Sequence, residues 1–338
     1  FTHMVDASNA HPLSFFETIV AMAYAAFSDA PVDVAVVEVG MGGAWDATNI
    51  ADGQVAVLTP IAVDHAAYLG SDPVTIAREK VGIIKPGAEV ISAAQLPEVL
   101  DVIAERCTEV GATLRVEGID FRVESRVAAV GGQVLEIAGP WGHYSDLFLP
   151  LYGAHQAQNV SLALAAVEAF LGGQALGEQV VSEGFAEMTS PGRLEIVRRS
   201  PTIVLDAAHN PHGATAVVDA LSDSFSFSPL IGVIGVMGDK DVEGLLAAFE
   251  PVFAHVVCTQ NSTARALPAT ELAEIARGIF GGDRVAVATN LVDAIDQATT
   301  LAEAGGVFGE GLGSGGVLVT GSVITVGEAR ALINPKEL

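Results

Sequence analysis

Cysteine is nearly absent: Cys107 and Cys258 are the only two in 338 residues, far apart and without metal-ligand spacing. They read as core thiols rather than a disulfide, which fits a reducing cytoplasm, the expected location. Positive charge is scarce as well, with 16 Lys and Arg against 41 Asp and Glu for a formal net charge of −25. Nucleic acids and anionic membranes are bound through basic patches, so neither is an expected partner. A small anionic substrate is not excluded. No uninterrupted apolar run approaches the ~18 residues of a membrane span. The N-terminus shows no basic stretch followed by a hydrophobic one, so no secretory signal is expected. Aromatics are only 6% of the chain, and the abundance of Ala, Val and Gly favours close packing of helices on sheets.

What is present alternates between strands and helices. Ser14-Phe15-Phe16-Glu17 has the form of a capping box, followed by an Ala-rich helix to about Phe27. Apolar runs at 33–38 and 55–59 read as buried parallel strands. Pro73 opens a helix through "VTIAREKVGII", and a strand at 88–92 and a helix at 97–111 follow. Residues 119–150 read as shorter, more alternating strands, with Gly131-Gly132 as a hairpin turn; 155–171 is an amphipathic helix. A second alternation has strands at 202–206, 230–235, 254–258, 284–287 and 317–320, the pattern of a doubly wound α/β fold. Two α/β domains are expected, 1–189 and 190–338, divided in "EMTSPGRLE". No apolar helix is left over for an interface, so a monomer is expected.

Four groups of residues could carry chemistry. In "VEVGMGGAWDATN" Glu38 follows an apolar run and precedes three glycines that permit a sharp turn or a close approach. His65 follows the next predicted strand, and a carboxylate with an imidazole could hold a divalent ion, although magnesium prefers oxygen ligands. The alternative is that Glu38 caps a helix and His65 is a hydrogen-bonded loop residue. Lys80 is flanked by Val-Gly-Ile-Ile; desolvation would free its neutral amine, which can add carbon dioxide to become a carbamate, and the alternative is a surface Lys. Lys85, beside Pro-Gly, reads as solvated. His155, Gln156 and Asn159 open a helix, with the two amides three apart on one face, suited to a purine edge or to capping. In the second half Asp206 ends a strand and could accept from ribose hydroxyls, Arg193 offers donors to phosphate oxygens, and Asn210-Pro211 and "TGS" at 320–322 open helices.

Taken together, "FFETIVAMAYAAF", "VAVVEVGMGGAWDATN", "LTPIAVDHAAYLG", "IAREKVGIIKPG", "GAHQAQN", "SPGRLE", "DAAHNPHGA", "MGDKD" and "TGSVITVGEAR" resemble the Mur-ligase superfamily, and within it folylpolyglutamate synthase/dihydrofolate synthase. The resemblance implies a P-loop-NTPase-like central domain followed by a Rossmann-like C-terminal domain. It implies ATP-dependent amide formation, in which a pterin-linked carboxylate is phosphorylated and L-glutamate then attacks the acyl phosphate. Folate or dihydropteroate, L-glutamate, ATP and Mg2+ are the implied partners. By position, Glu38 and His65 would be the metal ligands, Lys80 the carbamylated and catalytic Lys, and Asp46 a substrate contact. Gln156 and Asn159 would face the adenine, Arg193 the phosphates and Asp206 the ribose. His209 would be catalytic, near the phosphate, and Ser322 near the incoming glutamate.

Two departures from the family pattern stand out. Its loop of the form G-x-x-G-K-[ST] is absent from these residues, and Ala44 occupies a position usually held by Arg. Both supply positive potential to a triphosphate, so the chain as it stands is expected to be impaired. Two competing readings follow. One is a non-catalytic ligase remnant; the other is an S-adenosylmethionine-dependent methyltransferase, suggested by the E-x-G-x-G form of "EVGMG" and leaving the second half unexplained.

Overall fold

A computed structural model describes residues 13–30, 32–62, 70, 72–304 and 315–333. The chain is α/β and divides into two compact units, one of residues 1–122, 138–142 and 161–175, the other of residues 123–137, 143–160 and 176–338.

The first unit opens with α1 (Phe15–Asp29), and the expected capping box is formed. The Ser14 hydroxyl accepts the Glu17 N–H at 3.2 Å, and the Ser14 N–H donates to the Glu17 carboxylate at 2.7 Å. Three parallel strands, β1 (Val55–Leu58), β2 (Glu89–Ser92) and β3 (Thr113–Val116), lie in that order. Between β1 and β2 comes α2 (Pro73–Lys80), capped by Asp72; α3 (Pro97–Val110) stops at Gly111 with φ +65°. Ile76, Ala77, Ile84, Val90, Val99 and Ile103 form the buried core of these elements.

The run at 33–38 is not a strand. Val36 is 94% exposed, and among the described residues no segment forms a ladder with it. Apolar composition favours burial, but a strand exists only when a neighbour takes its backbone donors and acceptors. Conversely β3, four residues long at a sheet edge, was too short to read from the sequence.

Next come β4 (Arg122–Ala129), β5 (Gly132–Ala138) and β6 (His143–Leu149), a sheet in that order. The β4–β5 turn is Val130-Gly131, one residue earlier than expected: Gly131 has φ +86°, while Gly132 is already in β5, where a Cβ would overlap the Leu149 carbonyl. Helix α4 (Ala154–Phe170) follows at the expected place, but its polarity is not the expected one. Glu168 is fully buried and accepts the Trp141 N–H at 3.4 Å, while Val167 on the same helix is exposed. Helix α5 (Glu178–Ala186) completes this stretch.

The second unit contains a six-stranded sheet of β7 (Glu195–Arg199), β8 (Thr202–Leu205), β9 (Leu230–Ile234), β10 (His255–Cys258), β11 (Val285–Val287) and β12 (Gly316–Thr320). Its order is β11-β10-β9-β12-β8-β7, parallel except for β7, which runs antiparallel to β8. Alternate strand residues face two cores. One is shared with α6 (Pro211–Ser224), α7 (Val242–Phe249) and α8 (Ala269–Phe280), the other with α9 (Leu291–Ala304) and α10 (Val323–Ile333). β9 and β12 are buried on both faces, which explains their unbroken apolar sequence. Between β8 and β9 the chain passes over β12, so the loops after β8, β9 and β12 gather at one carboxyl edge, where open α/β sheets bind ligands.

Candidate active site

In the first unit the loop of residues 38–50 is built around Asp46. This buried carboxylate caps the 3-10 turn Ala47–Ile50. Oδ1 accepts the Thr48 N–H at 2.9 Å and the Thr48 hydroxyl at 2.6 Å, and Oδ2 accepts the Met41 N–H at 2.8 Å. Burial raises its pKa, but these bonds and one from the Gly40 N–H outweigh burial and hold it below the usual carboxylate range. Asn49 donates to the carbonyls of Ala44 and Gly82 at 3.1 and 3.2 Å, and Lys85 donates to the Asn49 carbonyl at 2.8 Å. Lys85 is thus half-buried and tied to this loop, not free in solvent as its Pro-Gly context suggested. The Asp-Ala-Thr-Asn turn is a clamp, and Asp46 shapes the loop with both of its oxygens.

Of the glycines of "GMGG", Gly40 and Gly42 lie against the side chains of Phe16, Glu79 and Trp45, and Gly43 serves a close approach to protein backbone. A Cβ on Gly43 would lie 2.7 Å from the Glu79 carbonyl oxygen and 2.8 Å from that of Lys80. The Ala44 N–H donates to the Glu79 carbonyl at 3.1 Å, so the loop rests on the end of α2. Lys80 is the last residue of α2, half-buried, and its ammonium makes no hydrogen bond or ion pair among the described residues. Glu38 is exposed and borders a groove of about 190 Å³ with Phe16, Val20, Tyr24, Val37 and Thr48. His65 lies outside the described residues. Among the described residues no three His, Cys, Asp or Glu come together as a metal cluster. Glu38 offers one hard oxygen donor of the kind a magnesium ion prefers.

In the second unit the structure brings Arg193, Asp206, His209 and His155 within electrostatic reach. Asp206, directly after β8, is 2% exposed. Burial pushes its pKa up to about 6, against hydrogen bonds from the Ala208 and Leu194 N–H groups and the nearby Arg193 and His209. The Arg193 guanidinium is exposed and makes no hydrogen bond among the described residues. His155 is half-buried; burial first, and the Arg193 charge second, lower its pKa. His209 places Nδ1 3.1 Å from the Ala207 carbonyl, and Asn210 caps α6 by accepting the Gly213 N–H at 2.7 Å. Gln156 is buried and accepts from the exposed Asn159 at 3.4 Å, which leaves one face of Asn159 open to solvent.

Ser322, after β12, is buried in a closed network. Its Oγ accepts the Thr325 N–H at 3.0 Å and an Asn261 amide N–H at 3.3 Å. Thr325 donates to the Gly235 carbonyl at 2.8 Å, so in the 2.9 Å contact between the two hydroxyls Ser322 is the donor. Asn261, which also donates to Thr325 at 3.1 Å, was passed over in the sequence. The signal was there: the polar run "TQNST" directly follows the fully apolar end of β10.

Among the described residues no helix is long and apolar enough to cross a membrane. A sequence model of the family "Mur ligase, glutamate ligase domain" matches residues 192–323. The chain is 51% identical over 333 residues to the dihydrofolate synthase/folylpolyglutamate synthase of Mycobacterium tuberculosis, covering 95% of this chain and 68% of that protein. It resembles the solved structure of M. tuberculosis folylpolyglutamate synthase complexed with ADP, with a TM-score of 0.94 at 50% identity, covering 98% of this chain and 75% of the other. E. coli FolC in complex with DHPP and ADP matches with a TM-score of 0.82 at 31% identity, covering 98% of this chain and 74% of the other.

Proposed function

Since the chain belongs to the folylpolyglutamate/dihydrofolate synthase family of ATP-dependent, carbon–nitrogen bond-forming Mur ligases, we propose that it serves the addition of L-glutamate to folate or dihydropteroate. The observation that carries this reading is the exposed Arg193 guanidinium beside buried Asp206 at the carboxyl edge of the second sheet. A carboxylate of the pterin substrate attacks the terminal phosphorus of ATP, giving an acyl phosphate and ADP. The glutamate amine then attacks the acyl carbon, loses its proton and expels inorganic phosphate. Negative charge gathers on the phosphoryl oxygens in both steps, and Arg193 is an exposed cation of the second unit suited to oppose it.

In this scheme Asn159, steadied by Gln156, faces the adenine and Asp206 stands at the ribose. His209 lies near the transferred phosphate. Ser322 fixes the turn that receives glutamate, and Asp46 acts on substrate through the shape of its loop. Mg2+, held by Glu38 and His65, would supply charge neutralisation at the phosphates. Lys80, as a carbamate, would be an anion able to support the metal. The proposed boundary at 189 would set Glu38 and Lys80 apart from Arg193 and Asp206, as the two compact units also do, although those units assign much of 123–189 to the second.

The 338 residues contain no Gly-Lys pair, so this chain on its own is assigned weak turnover at most. The methyltransferase reading has no support, because the run before "EVGMG" forms no strand to present that loop. The test is incubation with Mg-ATP, L-glutamate and dihydropteroate or tetrahydrofolate, followed by mass spectrometry. A glutamylated product with stoichiometric ADP supports the proposal. ADP release that ignores the pterin refutes it.

A further inference from the structure

Asp206 joins two loops. Its Oδ2 accepts the N–H of Leu194, in the turn that carries Arg193, at 2.9 Å. Its Oδ1 accepts the N–H of Ala208, one residue before His209, at 2.8 Å. The turn needs restraint. Leu194 has φ +46°, a conformation that costs a residue with a Cβ about 1 kcal/mol or more, and Gly192 beside it has φ +72°. Two further bonds hold the turn: Gly192 accepts the Ala207 N–H at 2.9 Å and donates its own N–H to Glu195 at 2.8 Å. Arg193 is therefore pinned through its neighbours while its guanidinium stays exposed.

Resting on the nucleotide reading above, we propose that Asp206 is a positioning residue: through the Leu194 and Ala208 N–H groups it sets the turn that aims Arg193, and the loop that carries His209, at a phosphate group. A carboxylate that touched only ribose hydroxyls would not matter to a ligand without a ribose. One that aims Arg193 would matter equally to both. The charged or titratable groups that act on it are Arg193 and His209, and Arg193 acts in turn on His155.

The experiment compares ADP with inorganic pyrophosphate, using NMR shift perturbation, which reads weak binding, on the wild-type chain and on Asp206→Asn. The amide variant keeps the shape but presents an NH2 to one of the two N–H donors. Losing that bond should weaken ADP and pyrophosphate alike, by about tenfold. Amide exchange at Leu194 and Ala208 should quicken by about tenfold or more. Loss of ADP affinity with pyrophosphate unchanged overturns the proposal in favour of a ribose contact alone. Should the variant fail to fold, the wild-type chain titrated from pH 8 to 5 gives the same test. The Leu194 and Ala208 amide resonances should then move together with a midpoint near the Asp206 value of about 6, and still do so in His209→Gln. Amides that do not move overturn it. If the wild type binds neither ligand, the nucleotide reading and the phosphate half of this proposal fail together, and the amides alone decide whether Asp206 holds the turn.

Discussion

A methyl group placed on Gly82 would lie 2.5 Å from both Cα and Cβ of Ala44. The turn after α2 and the glycine-rich loop therefore meet backbone to backbone, and Gly82 has no positive φ to explain its identity otherwise. Replacing Gly82 by Ala should destabilise the protein by about 2 kcal/mol or more, since neither backbone has room to yield. Gly87, with φ +72° and nothing within 4 Å, is the contrast. Ala there meets only conformational strain, about 1 kcal/mol. Urea midpoints of the two variants should differ in that order, and equal midpoints would mean that the loop moves aside.

Asp46→Ala removes the acceptor of the hydrogen bonds from Met41, Thr48 and Gly40 in one loop. The N–H groups of half-buried Met41 and buried Thr48 then lose their acceptor, a loss of about 2 kcal/mol or more. Asp46→Asn should recover part of it. Because the folded-state pKa is held below its unfolded value, the charge contributes stability above the unfolded pKa and loses it as pH falls through the lower, folded one. The melting difference between wild type and Asp46→Asn should accordingly shrink between neutral pH and about pH 3.

Much of this was readable in advance, for identifiable reasons. β8, β9, β10 and β12 are buried on both faces, so composition alone marks them. Ser14, Pro73 and Asn210 announce helix starts through local chemistry that needs no distant partner. The failures lie where a residue's fate depends on a remote neighbour. The valines at 34, 36 and 37 look like a strand but no described segment pairs with them. Lys85 looks solvated until Asn49 folds over it. At the site, the motif residues were legible as types, but their division of labour was not. Nothing in "DATN" says that Asp46 faces Thr48 and Met41, and nothing in "SPGRLE" says that Leu194 turns its N–H to Asp206.

Asp206 should act on stability in the sense opposite to Asp46. Its folded-state pKa of about 6 lies above the ordinary 3.8, so between these values the folded protein holds a proton that the unfolded chain does not. Its contribution is largest below the unfolded pKa and is lost as pH rises through about 6. The full span corresponds to about 3 kcal/mol as an upper limit. Asp206→Asn does not titrate, so the melting temperature of wild type minus variant should rise as pH falls from 7 to 4. A difference that is flat across this window would show that the carboxylate has an ordinary pKa.

Calorimetry with Mg-ATP should give this chain a dissociation constant well above the micromolar range. On the proposed reading Arg193 and the loop ends of the second sheet meet the phosphates. The 338 residues, however, contain no G-x-x-G-K-[ST] loop to surround the phosphates with backbone N–H groups and a Lys. Micromolar affinity would mean that other groups of this chain replace that loop.

Lys80 offers the sharpest separation between a structural and a chemical role. Its ammonium makes no hydrogen bond or ion pair among the described residues, so Lys80→Ala should leave the melting temperature nearly unchanged. In a form of the protein that turns over, the same change should nearly abolish folate-dependent ADP release. On the carbamate proposal the Lys80 ammonium first loses one proton, and the neutral amine then adds carbon dioxide and loses a second, so that a cation would become an anion near the proposed metal ligand Glu38. Activity should therefore fall when bicarbonate and carbon dioxide are removed and return when they are restored. Labelled carbon dioxide should give a carbamate carbon signal in NMR that disappears in Lys80→Ala. Lys80→Arg keeps the positive charge and cannot make this carbamate, so it should be as inactive as Lys80→Ala. An active Arg variant, or normal turnover without Lys80, would show that a cation or nothing at all suffices at this position.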